Sequence, residues 1–334
     1  MITIPKNKKL LFSIILAIFL VIVPLACFGV FIASPAGNGN NVRLFDFAGG
    51  SSLKKLAGEL ETAGVISNAR LFVLYARLKG ADARVKAGSY QFNDGLSPAE
   101  ILRRMVAGEI FASRFAVPEG YSIYQVAELL EGRGLFKKEP FLKQCFNRAL
   151  LKELGISCKS VEGYLYPSTY TIPPNMDEAG LIRTMVGQFD KVYGQRFADR
   201  AKSLQISTGA LITLASMIEK EAVVPNERPL IASVFKNRLR KGMPLQSDPT
   251  AIYGVRAFGG KVYKQDILRS TPYNTYLIKG LPPGPIGNPG SDAIEAAIAP
   301  AATGYFYFVA KKDGTHYFSA TLEEHNRAVR RYLR

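Results

Sequence analysis

Glu219-Lys220-Glu221 ends an apolar stretch in which Leu211, Ile212, Leu214, Ala215, Met217 and Ile218 recur from Ala210 onward, the pattern of a largely buried helix. Three, four and seven residues before Glu219 stand Ser216, Ala215 and Ile212, which share its face. A carboxyl set against small and apolar neighbours loses hydration, which raises its pKa and keeps it protonated near neutrality. A general acid for a glycosidic bond needs that state. The same test admits Glu221, whose neighbours at those spacings are Ile218 and Met217. The two side chains point about 200° apart at ~3.6 residues per turn, so a given cleft takes only one of them. A glutamate at a helix end is commonly just solvated, and periodicity leaves Glu219, Glu221 and neither all open.

Polar loops follow that helix. Asn226-Glu227-Arg228-Pro229 introduces a further helix, with Glu227 at its positive end in a structural place. Leu245-Gln246-Ser247-Asp248-Pro249-Thr250 reads as extended-to-turn because residues before proline avoid the α region. Asp248 either accepts a hydrogen bond from a sugar or caps the short helix that includes Tyr253, and the cap is favoured. Thr271-Pro272-Tyr273-Asn274-Thr275-Tyr276 leads to the Pro/Gly-rich loop Leu281–Gly290. Tyrosine, asparagine, threonine and glutamine on stiff loops offer stacking faces and neutral hydrogen bonds, which suit carbohydrate. The candidate glycan contacts are Gln246, Asp248, Thr250, Tyr273, Asn274 and Thr275, joined by Tyr166 and Asn288 from flanking loops. No Cys/His group has zinc spacing, and the only histidines are His316 and His325, so carboxylates are better suspects than imidazole. Neither a metal nor an organic cofactor is expected.

The blocks Glu219-Lys220-Glu221, Glu227-Arg228, Ala232–Leu239, Leu245–Thr250, Tyr273–Tyr276 and Leu281–Ile286 together closely resemble the endolytic murein transglycosylase (YceG-like) family, as does Glu162-Gly163-Tyr164-Leu165-Tyr166-Pro167 upstream. The resemblance implies that the first glutamate of the triplet, Glu219, is catalytic. It also implies a non-hydrolytic cut of peptidoglycan glycan strands, and clipping of nascent strands beside membrane-bound wall synthases (penicillin-binding proteins). In that reaction Glu219 protonates the glycosidic oxygen and then, as carboxylate, takes the proton of the substrate's own 6-hydroxyl, which attacks to leave a 1,6-anhydro end. Gln246 and Asp248 are candidate helpers. Ser168 stands where the family usually carries aspartate, which bears on the role of that loop. Two competing readings are a two-carboxylate hydrolase using Glu219 and Asp248, and a non-catalytic wall-binding scaffold.

The elements that must position these residues begin with Leu10–Ala33, a run without charge. As a helix it rises ~36 Å, enough for a ~30 Å hydrocarbon core. Lys6, Lys8 and Lys9 precede it and no basic residue follows until Arg43, so the N-terminus reads as cytoplasmic and the rest as exported from the cell (inner) membrane. The run is longer than the apolar region of a cleaved signal, and Pro24 spoils a lipoprotein box at Leu25-Ala26-Cys27. Beyond the Ser34–Asn41 linker a strand, a turn and a helix occur twice, at Asn41–Leu60 and Phe115–Leu130. Ser52 and Ser122 are their caps, and Gly64 and Gly134 their stops. These units resemble LysM-type modules, which grip N-acetyl sugars.

The predicted fold is α+β: a single N-terminal transmembrane helix, a LysM-like α/β subdomain, then a mixed α+β catalytic domain. The segments are tail 1–9, span 10–33, linker 34–41, LysM-like region 42–160 and catalytic domain 161–334. A formal net charge of +16 suits an anionic wall polymer or lipid surface. Export, and the lack of basic runs interleaved with aromatics, argue against nucleic acid. Cys145 and Cys158 lie on the exported side, and whether they pair is open.

Overall fold

The uncharged run is helical: α1 spans Lys8–Ala33 with Pro24 inside it. Its stretch Ile15–Ala33 has a mean hydropathy of 3.0 and is almost wholly unburied, so it is long and apolar enough to cross a membrane. The structure, a computed structural model, describes residues 8–48, 50–111, 113–173, 176–255 and 262–333. Lys6, among the lysines before the span, and Pro174 lie outside these. Two compact units account for the chain, residues 1–113 with 172–175 and residues 114–171 with 176–334.

The first unit runs β1 (Val42–Phe47), α2 (Leu53–Thr62), α3 (Ala69–Leu78), β2 (Gly88–Asn93) and α4 (Pro98–Ala107). Ser52, Asn68 and Ser97 cap the three helices through their side-chain oxygens. β1 and β2 pair antiparallel, with Phe45 opposite Tyr90 and Arg43 opposite Phe92. Alternation turns Phe45 and Phe47 inward, onto Leu56, Leu60, Phe72, Ile101 and Met105 in one core. Phe31, near the end of α1, packs against that core.

The second unit begins with β3 (Ser113–Ala116), α5 (Ile123–Gly132), α6 (Lys138–Cys145), α7 (Arg148–Glu153) and β4 (Thr169–Ile172), and β3 pairs with β4. Then come α8 (Glu178–Arg196), α9 (Ala198–Ser203), α10 (Thr208–Glu221), a 3₁₀ turn at Pro225–Glu227, α11 (Arg228–Arg240), α12 (Asp248–Ile252), α13 (Lys264–Leu268) and α14 (Ser291–Ile298). The hairpin β5 (Tyr307–Ala310) and β6 (His316–Ser319) and the helix α15 (Leu322–Tyr332) close it. The hairpin turns at Gly314, whose φ of +81° suits glycine.

The division falls at Ser113/Arg114 rather than at 160/161, and the second strand–turn–helix copy goes with the C-terminal part. A strand needs a partner, and the partner of β3 is Thr169–Ile172, beyond residue 160. Cys145 and Cys158 are both free thiols. Cys145 is buried, and the Cys158 sulfur lies 3.8 Å from the Tyr164 hydroxyl.

Candidate active site

α10 is the floor of the site. Ser207 caps it, accepting from the Ala210 amide, and Leu211, Ile212, Ala215, Ser216, Met217 and Ile218 are buried along it. The helix packs against α11 and α14. Its Glu219 face is covered by the Leu281–Gly290 loop. The Ile286 amide donates to Ser216 Oγ (3.1 Å), and Ser216 in turn donates to the Thr213 carbonyl (2.7 Å). Gly163 is obligatory beside that loop: its φ is +87°, and a Cβ would lie 2.5 Å from the Pro285 ring and 2.8 Å from Ile212.

Two loops meet over Glu219. The Gly120 amide donates to the Asn288 carbonyl (2.8 Å) and the Asn288 amide to the Tyr121 carbonyl (2.9 Å). Such close pairing demands glycine, since a Cβ on Gly287 would stand 2.7 Å from the Gly120 carbonyl oxygen. Inside this frame Arg228 Nη2 donates to Glu219 Oε1 (2.9 Å) and the Gly290 amide to Glu219 Oε2 (3.0 Å). The side chains of Arg228 and Glu219 are 11% and 6% exposed. The Glu219 carboxyl is therefore dry but matched by a cation and an amide, a different setting from the purely apolar one that the periodicity suggests. Arg228 Nε is buried without an acceptor among the described residues. Glu119 Oε2 lies 3.8 Å from the same Arg228 Nη2, with its side chain 52% exposed.

Lys220 lies behind Glu219 and donates to Gln125 Oε1 (3.3 Å). Burial pulls its ammonium down to about 8, opposed by the charges of Glu162 and Glu219. Glu162 is buried, and burial pushes it up to about 7 against the Tyr253 hydroxyl (2.8 Å) and the Ile123 amide (3.1 Å), which favour its charged form.

Glu221 faces a separate set of groups. Ser247 Oγ donates to its Oε1 (2.5 Å). Burial, with a further push from Asp248, raises its carboxyl to about 7, while the Ser247 bond and Arg238 pull the other way. Asp248 belongs here and not beside Glu219. It is the first residue of α12 after Ser247 and makes no side-chain cap; its Oδ1 accepts from the Tyr276 hydroxyl (2.6 Å). This corrects the capping role, because Tyr276 outcompetes the helix amides for that carboxylate. Gln246 is exposed at a φ of +51°, and its Oε1 accepts from Arg238 Nη1 (3.3 Å).

The other candidate contacts divide by burial. Tyr273 is half-buried with its ring 4.6 Å from that of Tyr253. Tyr166, also half-buried, shares a hydrogen bond with Ser291 Oγ (2.8 Å), one residue from the Gly290 amide that holds Glu219. Thr250, Asn274, Thr275 and Asn288 expose no surface to a glycan. Thr250 and Thr275 bond each other (2.8 Å), and Asn274 Nδ2 donates to the Ile267 and Arg269 carbonyls (2.8 Å each). Asn288 donates to the Tyr121 carbonyl (2.7 Å) and accepts from the Leu165 amide (2.8 Å). These four residues hold loops in place. Residue-type reasoning missed Glu119, Glu162 and Gly290 as parts of the site, although the Glu119-Gly120 and Glu162-Gly163 pairs sit at turns where such roles arise.

A largely buried carboxylate with a cationic and an amide partner thus stands beside a second, exposed acid on this α+β scaffold. The chain belongs to the YceG-like family, whose pattern matches residues 45–331. It is 34% identical over 300 residues to the endolytic murein transglycosylase of Bacillus subtilis (strain 168), covering 85% of this chain and 83% of that one. It is 31% identical over 316 residues to the protein of that name from Streptococcus pneumoniae D39, covering 85% of this chain and 57% of that one. A crystal structure of a putative yceG-like protein from Listeria monocytogenes is similar at a TM-score of 0.61 and 34% identity, covering 86% of this chain and 98% of that chain.

Proposed function

We propose that this chain is a single-pass, membrane-anchored lytic transglycosylase. It cuts the MurNAc–GlcNAc β-1,4 bond of nascent peptidoglycan strands and leaves 1,6-anhydro-MurNAc ends, with Glu219 as acid/base. The observation that carries this reading is the pairing of Glu219 with Arg228 and the Gly290 amide beneath the exposed Glu119. The family and the names of its relatives supply the substrate and the reaction class. The α1 span supports the anchor, with the C-terminal part extracytoplasmic and near membrane-bound synthases. The course β1–α2–α3–β2, with its end strands paired, supports a LysM-like, sugar-gripping role for the first unit. Gln246, Asp248, Tyr273 and Tyr166 are the proposed glycan contacts, and Thr250, Asn274, Thr275 and Asn288 hold the loops that carry them.

Digestion of purified glycan strands, followed by mass spectrometry of the new ends, tests the reaction. Anhydro ends from the native protein and none from Glu219→Gln are expected. Reducing ends would make it a hydrolase. A Glu219→Gln protein that cuts normally would remove the assignment, and a native protein that binds but never cuts would make it a scaffold.

A further inference from the structure

The carboxylate that shares a partner with Glu219 is not the downstream Asp248 but Glu119, a hundred residues upstream. Both carboxyl groups lie within 4 Å of one nitrogen, Arg228 Nη2. That places them no farther apart than the pairs of glycoside-cleaving sites, about 5–9.5 Å. They differ in access, since the Glu219 side chain is 6% exposed and that of Glu119 52%. Glu219 already takes Arg228 on one oxygen and the Gly290 amide on the other. Glu119 accepts no hydrogen bond from the described residues, yet it is closely placed: an ideal Cβ on Gly290 would fall 2.0 Å from its Oε1. The glycine whose amide holds one acid thus makes room for the other. The charged groups facing Glu119 are Glu219, Arg228 and Asp292. Partial burial raises its pKa, the Glu219 charge adds to this while Glu219 is ionised, and Arg228 lowers it.

We propose that Glu119 is a second catalytic residue, the base that takes the proton of the attacking hydroxyl while Glu219 protonates the leaving oxygen. The proposal rests on the reading of Glu219 given above and moves the base half of the step to Glu119. As the bond from MurNAc C1 to the GlcNAc O4 breaks, the Glu219 carboxyl proton passes to O4. The MurNAc 6-hydroxyl oxygen bonds to C1, and its proton goes to a Glu119 oxygen. Glu119 then releases that proton to water and Glu219 regains one, so the cycle consumes none. Arg228, between them, compensates whichever carboxyl is charged.

The test uses the full-length protein in detergent on isolated glycan strands. Glu119→Gln is expected to lower kcat by about 100-fold or more, with KM and Tm nearly unchanged. Glu119→Ala is expected to regain at least about tenfold of the lost rate in sodium formate, whose carboxylate replaces the missing base. Glu219→Gln should show no such recovery. Gly290→Ala, which displaces the Glu119 carboxyl without removing it, should also slow turnover. Native turnover in Glu119→Gln, or a folded Glu119→Ala protein indifferent to formate, overturns the proposal. An active Glu219→Gln protein would instead overturn the reading beneath it, whatever Glu119 does.

Discussion

The two ends of one glutamate triplet sit in unlike surroundings. Glu219 faces two glycine-bearing loops, a shared arginine and an acid open to solvent. Glu221 faces Ser247, among Asp248, Arg238 and Tyr276. Burial alone favours Glu221, whose carboxyl it raises to about 7. Charge compensation favours Glu219 in the proposed role, because a group that exchanges protons must be tolerable in both protonation states. Desolvation therefore marks an acid held inside the fold as readily as one at work.

The largest expected effect breaks that comparison directly. Glu219→Gln should reduce strand cleavage by about 10²–10⁴-fold, the usual worth of a positioned acid/base group. Glu221→Gln should stay within about tenfold of native, since its partner Ser247 accommodates an amide as well as an acid. Equal losses in steady-state assays of the two variants would erase the distinction. Next is Arg228→Met, which leaves Glu219 dry without its cation. Removing one partner of a buried pair costs about 3–5 kcal/mol, to be read as a lower midpoint in denaturant unfolding. Full stability in that variant would mean that the Gly290 amide alone suffices.

Local signals in the chain read well. Ser52 and Ser122 each cap the helix that their position announces. Long-range pairing did not read from the residues. The return strands Gly88–Asn93 and Thr169–Ile172 do alternate, as Tyr90-Gln91-Phe92 and Thr169-Tyr170-Thr171-Ile172 show, but so short an alternation does not name its partner, and β propensity depends on such partners. The site suffered in the same way. Helical periodicity sees only neighbours within α10, so the apolar stripe was legible. Arg228 and Gly290, which come from after the helix, were not legible as partners of Glu219, nor was Glu119 from a distant loop. The residue types that suit a sugar-binding loop proved equally suited to holding that loop together, as Asn274, Thr275 and Asn288 do.

A smaller effect tests the loop frame on the Glu219 side. An added methyl in Gly287→Ala meets the Gly120 carbonyl oxygen at 2.7 Å, a backbone atom that cannot rotate away. Overpacking of this kind costs about 1–3 kcal/mol. Cleavage should fall with it, because the loop that shifts carries Glu119. A variant with native stability and native turnover would mean that the two loops are free to separate.

The smallest effect belongs to the Glu221 side and is one of pH. The folded-state pKa of Glu221 is raised to about 7 from 4.5, so between those values the folded protein binds more protons than the unfolded chain. Stability from this group is thus fully present below about 4.5 and lost as pH rises toward 7. Glu162, raised to about 7 by burial, adds a slope of the same sign. Ser247→Ala removes a hydrogen bond worth about 1 kcal/mol. It also removes a contact that favours the charged form, so the folded pKa should climb and the loss should extend to higher pH. Tm measured from pH 4 to pH 9 should therefore fall further between neutrality and pH 9 in Ser247→Ala than in the native protein. Glu221→Gln, with no proton to lose there, should show the flatter curve. Parallel curves for all three proteins would mean that Glu221 titrates as it would in water, and the contrast between the two ends of α10 would then rest on charge compensation alone.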